Sequence, residues 1–133
     1  MKDSANIIFL ALTIWREASG ETVGVKEGVG CVIRNRVTHP GWWGKTWMEV
    51  VFKKWQFSAM TAPGDPNLTR WPKEKAQDWI DCLEVAEDVY RNLTLDPTGG
   101  ATYYHDQSIT KPETWGESIQ PTVKIGKIQF YRG

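Results

Sequence analysis

Residues 7–21 read IIFLALTIWREASGE. Ile7, Ile8, Ala11, Ile14, Trp15 and Ala18 recur at helical spacing and form one apolar stripe. Ser4 is placed to cap the start of this helix, and Gly20 to end it. On a helical wheel Glu17 falls just off the stripe, beside Leu10 and Ile14, while Arg16 points the other way. Glu17 is therefore expected at the border between core and solvent. A carboxylic acid half desolvated by apolar neighbours titrates above its usual ~4.3. It can hold a proton near neutral pH and deliver it, which is how a glycosidase general acid is made.

Working outward, the chain of 133 residues has the size of one domain, spanning 1–133, with ordinary globular composition at 41% hydrophobic. Sixteen basic residues balance sixteen acidic ones. That balance argues against nucleic acid or an anionic membrane surface as partner, since both select basic surfaces. Eight tryptophans are an excess. Flat apolar faces near the surface suit stacking on sugar rings or nucleobases, and the neutral charge favours sugars. Ile7 to Trp15 is apolar but too short to span a bilayer, and Asp3 stands where a secretion signal would be basic. Cys31 and Cys82 read as reduced core residues. His39 and His105 are isolated, so no metal site and no cofactor are expected.

A second helix is predicted over residues 24–38, with Val25, Gly28, Val29 and Val32 on one face and glycines that admit a close neighbouring helix. Arg36 shares that apolar face. Thr46 and Glu49 form a capping box for a short helix. Residues 56–67, QFSAMTAPGDPN, read as loop. A long helix is predicted over 73–93, with the stripe Ala76, Trp79, Ile80, Leu83, Ala86 and Tyr90, and with Glu87 in its middle. Arg36 and Glu87 are the charges on these two apolar faces, and pairing in the interior would relieve both. DPTGG, residues 96–100, is a turn. After it ATYYH and TVKIGKIQFYR read as two short strands, the second kinked or bulged at Gly126. The fold class is α+β, mostly helical with a small C-terminal β element.

The motifs in their order resemble the cell-wall hydrolases typified by the spore-cortex-lytic enzyme SleB. The resemblance runs through WREASGE, GVGCVIRNRV, QFS, DPTGGATYYHD, KPETW and IGKIQFYR, covering about residues 5 to 132. Gln129 departs from that family, which usually has a histidine before the final aromatic pair. The family's usual N-terminal binding domain is not in this sequence.

The resemblance implies a lysozyme-like fold and peptidoglycan glycan strands as substrate. It also implies a catalytic acid at Glu17, acting on the β-1,4 bond between N-acetylmuramic acid and N-acetylglucosamine. Two outcomes stay open. If ionised Glu17 takes the proton of the sugar's own 6-hydroxyl, the enzyme is a lytic transglycosylase. If a second carboxylate activates water, it is a muramidase. Glu21 and Asp106 are the candidates for that carboxylate, and each has a structural alternative: Glu21 capping the next helix, Asp106 forming a turn.

Gln56, Phe57 and Ser58 are candidates for holding an N-acetyl group. Tyr103 and Tyr104 alternate on a strand, so one should face the core and the other a cleft. Trp115 is a candidate for stacking on sugar, and Trp42 with Trp43 for wall contact. A non-catalytic glycan-binding module is the competing class; it would not need a desolvated acid. A single such domain without leader or membrane anchor suggests a monomeric phage endolysin, made in the host cytoplasm and acting at the cell wall.

Overall fold

A computed structural model of the chain describes residues 2–54 and 56–133. Helix α1 spans Lys2–Ala18. It begins ahead of Ser4, which therefore lies inside the first turn rather than capping it. Its C-terminal half is buried almost all round: Leu10, Ala11, Leu12, Thr13, Ile14 and Trp15 are all buried, while Ile8 of the expected stripe is half exposed. Arg16 is buried as well. The sequence expectation of a solvent-facing Arg16 fails because residues 59–71 fold over that side of the helix. Arg16 Nε donates to Arg70 O at 3.1 Å and Nη1 to Ala59 O at 3.3 Å. Gly20 follows the helix end with φ +81°, a conformation glycine adopts freely.

Helix α2, Val23–Thr38, is capped by Thr22, whose hydroxyl accepts the Val25 N–H. Helix α3, Trp47–Val51, starts at the expected capping box: Thr46 Oγ1 accepts the Glu49 N–H, and the Glu49 carboxylate accepts from the Lys45 N–H and the Thr46 hydroxyl. Segment 56–67 is not all loop. It holds a single helical turn, α4 (Ser58–Thr61), and the start of a 3₁₀ turn at Pro66–Thr69, capped by Asp65. Helix α5 is shorter than expected, Gln77–Tyr90, and its buried side is Cys82, Val85, Ala86 and Val89. That side is rotated from the predicted stripe, so Glu87 is exposed and bonds Arg91 one turn on. The expected Arg36–Glu87 pair does not form. Helices α1, α2 and α5 pack together around Gly30, where an added Cβ would lie 3.2 Å from both Ile14 and Val89.

The C-terminal part makes three strands, β1 (Tyr103–Asp106), β2 (Gln120–Ile125) and β3 (Ile128–Arg132), in antiparallel order β1-β3-β2. Gly126 is not a bulge within one strand. It is the first residue of the β2–β3 hairpin turn, with φ +56°. Pro121 sits in edge strand β2, where its missing N–H costs no ladder bond. Phe130 of β3 is fully buried and rests on Gly28 of α2, so the close neighbour that this glycine admits is a strand side chain rather than another helix. The architecture is α+β, dominated by helix.

Candidate active site

Glu17 stands on the last turn of α1, half-buried, and borders a pocket of about 220 Å³ lined by Arg36, Gln56, Phe57, Tyr103, Tyr104 and Trp115. The turn before β1 brings the tyrosines there. Asp96 accepts the Thr98 N–H and hydroxyl, the Gly100 N–H and the Asn35 side-chain amide. Burial pushes this carboxyl up, but the bonds from Thr98, Asn35 and Gly100 outweigh it and hold Asp96 below its ordinary value. Asn35 also donates to Ala101 O, and Arg36 Nε to Thr102 O at 2.8 Å. Two consecutive residues of α2 thus fix where β1 begins, and β1 carries Tyr103 and Tyr104 to the end of α1.

The Tyr104 hydroxyl donates to Glu17 Oε1. Burial raises the Glu17 carboxyl above its ordinary value; the Tyr104 bond pulls it partly back, and the charge of Asp65 adds a smaller upward push. Tyr104 itself is held well above its usual range, chiefly by burial and then by the adjacent Glu17 charge. The pair therefore keeps the Tyr104 proton and favours the protonated acid at position 17.

Arg36, 4% exposed, also lines the pocket. Its guanidinium lies within 5.7 Å of the ring centroids of Trp42, Trp43, Phe57 and Tyr103, and Nη1 donates to Gln56 Oε1 at 3.2 Å. Burial lowers its pKa to about 10, so it stays charged at neutral pH. Aromatic faces and two hydrogen bonds stabilise this cation in place of the carboxylate that the sequence suggested. Arg36 was legible as an oddity, a charge on an apolar face, but not as a pocket residue.

The other expected site residues divide. Gln56, Phe57 and Trp115 border the pocket; Ser58 is exposed at the start of α4 and does not. Tyr103 and Tyr104 both border it, contrary to the expectation of one core and one cleft residue; both are half-buried at the start of edge strand β1. Glu21 and Asp106 do not line it. The cap of α2 is Thr22 rather than Glu21, and Asp106 accepts the Ser108 N–H in an exposed turn that holds its pKa low. Trp42 is half exposed and its indole N–H donates to Tyr103 Oη at 3.3 Å. Trp43 is buried, with its N–H donated to the carbonyls of Arg36 in α2 and of His39 just past the helix end.

A desolvated acid and a buried cation in one aromatic-walled pocket, on an α+β frame, make an arrangement that can deliver a proton to a bound molecule. The chain belongs to the cell wall hydrolase family, whose model matches residues 20–131. Two solved structures are similar over nearly the whole chain. One is the catalytic domain of the germination-specific lytic transglycosylase SleB from Bacillus anthracis, at 27% identity and TM-score 0.74, covering 96% of this chain and 93% of that one. The other is the catalytic domain of the Bacillus cereus SleB protein, at 26% identity and TM-score 0.75, covering 99% and 91%. No match was found among curated proteins. The family match begins after Glu17, so α1 and its acid are covered by the structural matches.

Proposed function

We propose that this protein cleaves the glycan strands of peptidoglycan as a lytic transglycosylase, with Glu17 as acid and then base. The observation that carries the reading is the desolvated, Tyr104-bonded Glu17 in a pocket that no second carboxylate lines among the described residues. Protonated Glu17 gives its proton to the glycosidic oxygen. The C1–O4 bond of N-acetylmuramic acid breaks, and the N-acetylglucosamine end leaves with a free 4-hydroxyl. Glu17, now ionised, accepts the proton of the 6-hydroxyl as O6 attacks C1, which closes a 1,6-anhydro ring and returns the acid to its starting state. Tyr104 orients the carboxyl throughout. Gln56, held by Arg36, presents its amide toward the sugar, and Trp115 and Tyr103 supply stacking surface.

Mass spectrometry of the muropeptides that the pure protein releases from sacculi tests this directly: 1,6-anhydro ends are expected, and reducing ends would overturn it in favour of a muramidase. The muramidase reading has one observation behind it, the influence of the Asp65 charge on Glu17. Asp65, however, caps the 3₁₀ turn by accepting the Asn67 N–H at 2.8 Å. Asp65→Asn should therefore keep most of the activity.

Tyr104→Phe has a signed effect. The lost bond is one that lowers the Glu17 pKa, so the alkaline limb of the pH–rate profile should move to higher pH. The maximal rate should fall roughly tenfold, as expected for losing one hydrogen bond to a charged group. An alkaline limb that stays put or moves down would show that Glu17 is not the titrating acid.

Lysis of a bacterial host by a phage is the setting we propose. In support, Cys31 and Cys82 are buried and unpaired, both thiols are pushed up to about 12 by burial, and a protein folding in a reducing compartment keeps such cysteines inert.

A further inference from the structure

Across α1 from Glu17, two costly features meet. Trp71 is 70% exposed, a large apolar surface left in water. Behind it lies Arg16, 6% exposed, whose Nη2 is a buried donor without a hydrogen-bond partner. The guanidinium carbon of Arg16 is 4.7 Å from the Trp71 ring centroid, and its other nitrogens are tied to Arg70 O, Ala59 O and Met60 Sδ. No carboxylate pairs with it among the described residues. An exposed indole and an unpaired buried cation each work against stability. Placed together, they do one thing: a fixed guanidinium holds one face of Trp71, so that the indole stands as a rigid plate at the surface.

The plate borders an open groove with Trp15, Ser19, Arg70 and Lys73. Arg70 is itself fixed, over the Trp15 ring at 4.5 Å and bonded to Asn67 Oδ1 and Ser19 Oγ. The one acid lining the groove among the described residues, Asp78, is neutralised by Lys26 and also accepts the Gly20 N–H. The groove thus offers an aromatic plate beside a net positive rim. A glycan strand whose amino sugars carry acidic peptides complements both parts: a sugar ring for the indole, carboxylates for Arg70 and Lys73.

We infer that this groove is a second binding site for peptidoglycan, separate from the Glu17 pocket, that holds the enzyme on the insoluble wall between cleavage events. The inference rests on the peptidoglycan reading of the enzyme. Trp71→Ala, made in the inactive Glu17→Gln background, should bind purified sacculi about tenfold more weakly in a pull-down, as for loss of one aromatic anchor. Trp71→Phe should recover part of that. In the active enzyme, Trp71→Ala should leave cleavage of a short soluble glycan unchanged while slowing release from sacculi. Sacculi stripped of their peptides should retain the Trp71 effect; its loss there would overturn the assignment of the plate to a sugar ring. Unchanged sacculus binding by Trp71→Ala, with a wild type that does solubilise sacculi, would overturn the second site alone. A wild type that neither binds nor cleaves sacculi would remove both readings.

Discussion

Replacing Glu17 with Gln is expected to lower muropeptide release by about a thousandfold or more while the fold stays intact. General acid–base catalysis by one side chain contributes on the order of 10² to 10⁴, and here one group serves both half-reactions. The amide keeps the shape of the carboxyl, and its oxygen can still accept the Tyr104 hydroxyl, so positioning survives and only the proton is lost. A variant retaining activity within about tenfold of wild type would refute the assignment.

Stability gives an independent check on the same substitution. The folded protein raises the Glu17 pKa above its ordinary value, mainly by burial. The folded state therefore binds this proton more tightly than the unfolded chain does. Whatever stability Glu17 contributes is fully present below the unfolded pKa and is lost as pH rises through the folded one. Gln does not titrate. Thermal melts should thus show Glu17→Gln gaining on wild type as pH rises above the ordinary carboxylate range, and a variant that instead loses ground to wild type with rising pH would contradict a desolvated acid.

The second large effect is expected far from the pocket. Gly28→Ala would put a Cβ 2.6 Å from Phe130 Cζ, closer than any relaxed contact. The ring is fully buried and has nowhere to go. Overpacking of this kind costs about 1–3 kcal/mol. The displacement also reaches the site, because Phe130 pairs with Tyr104 across β1 and β3 and their ring centroids are 5.9 Å apart. Gly28→Ala should therefore lower both the melting temperature and the catalytic rate. Phe130→Leu, which alone removes good packing, should cost less in the Gly28→Ala background than in wild type, and a double-mutant cycle measures that coupling. Strict additivity would mean that the two positions do not meet.

Much of the frame was legible because its causes are local. The apolar period of α1, the Thr46–Glu49 capping box and the Asp96–Gly100 turn each depend on a few neighbouring residues. The placement of Glu17 at a wet helix border followed from that same period. The partners of the charges were not legible. Arg36 reads as a cation needing an acid, and Glu87 as that acid, until α5 is seen to turn Glu87 outward and four aromatic rings close around Arg36. Arg16 reads as solvent-facing until residues 59–71 cover it. Ser58 and Phe57 are adjacent in sequence, yet only Phe57 meets the pocket, since α4 begins at Ser58 and turns its side chain away.

The sequence by itself determined the three long helices and the β character of the C-terminal segment, and that an acid would stand half desolvated at the end of the first helix, since hydrophobic period and capping chemistry act over a few residues. Tertiary structure alone decided what faces that acid. Tyr104 reaches Glu17 from 87 positions away, and Arg36 joins the same pocket lining, because contacts between distant segments depend on how helix faces and strand edges dock against one another.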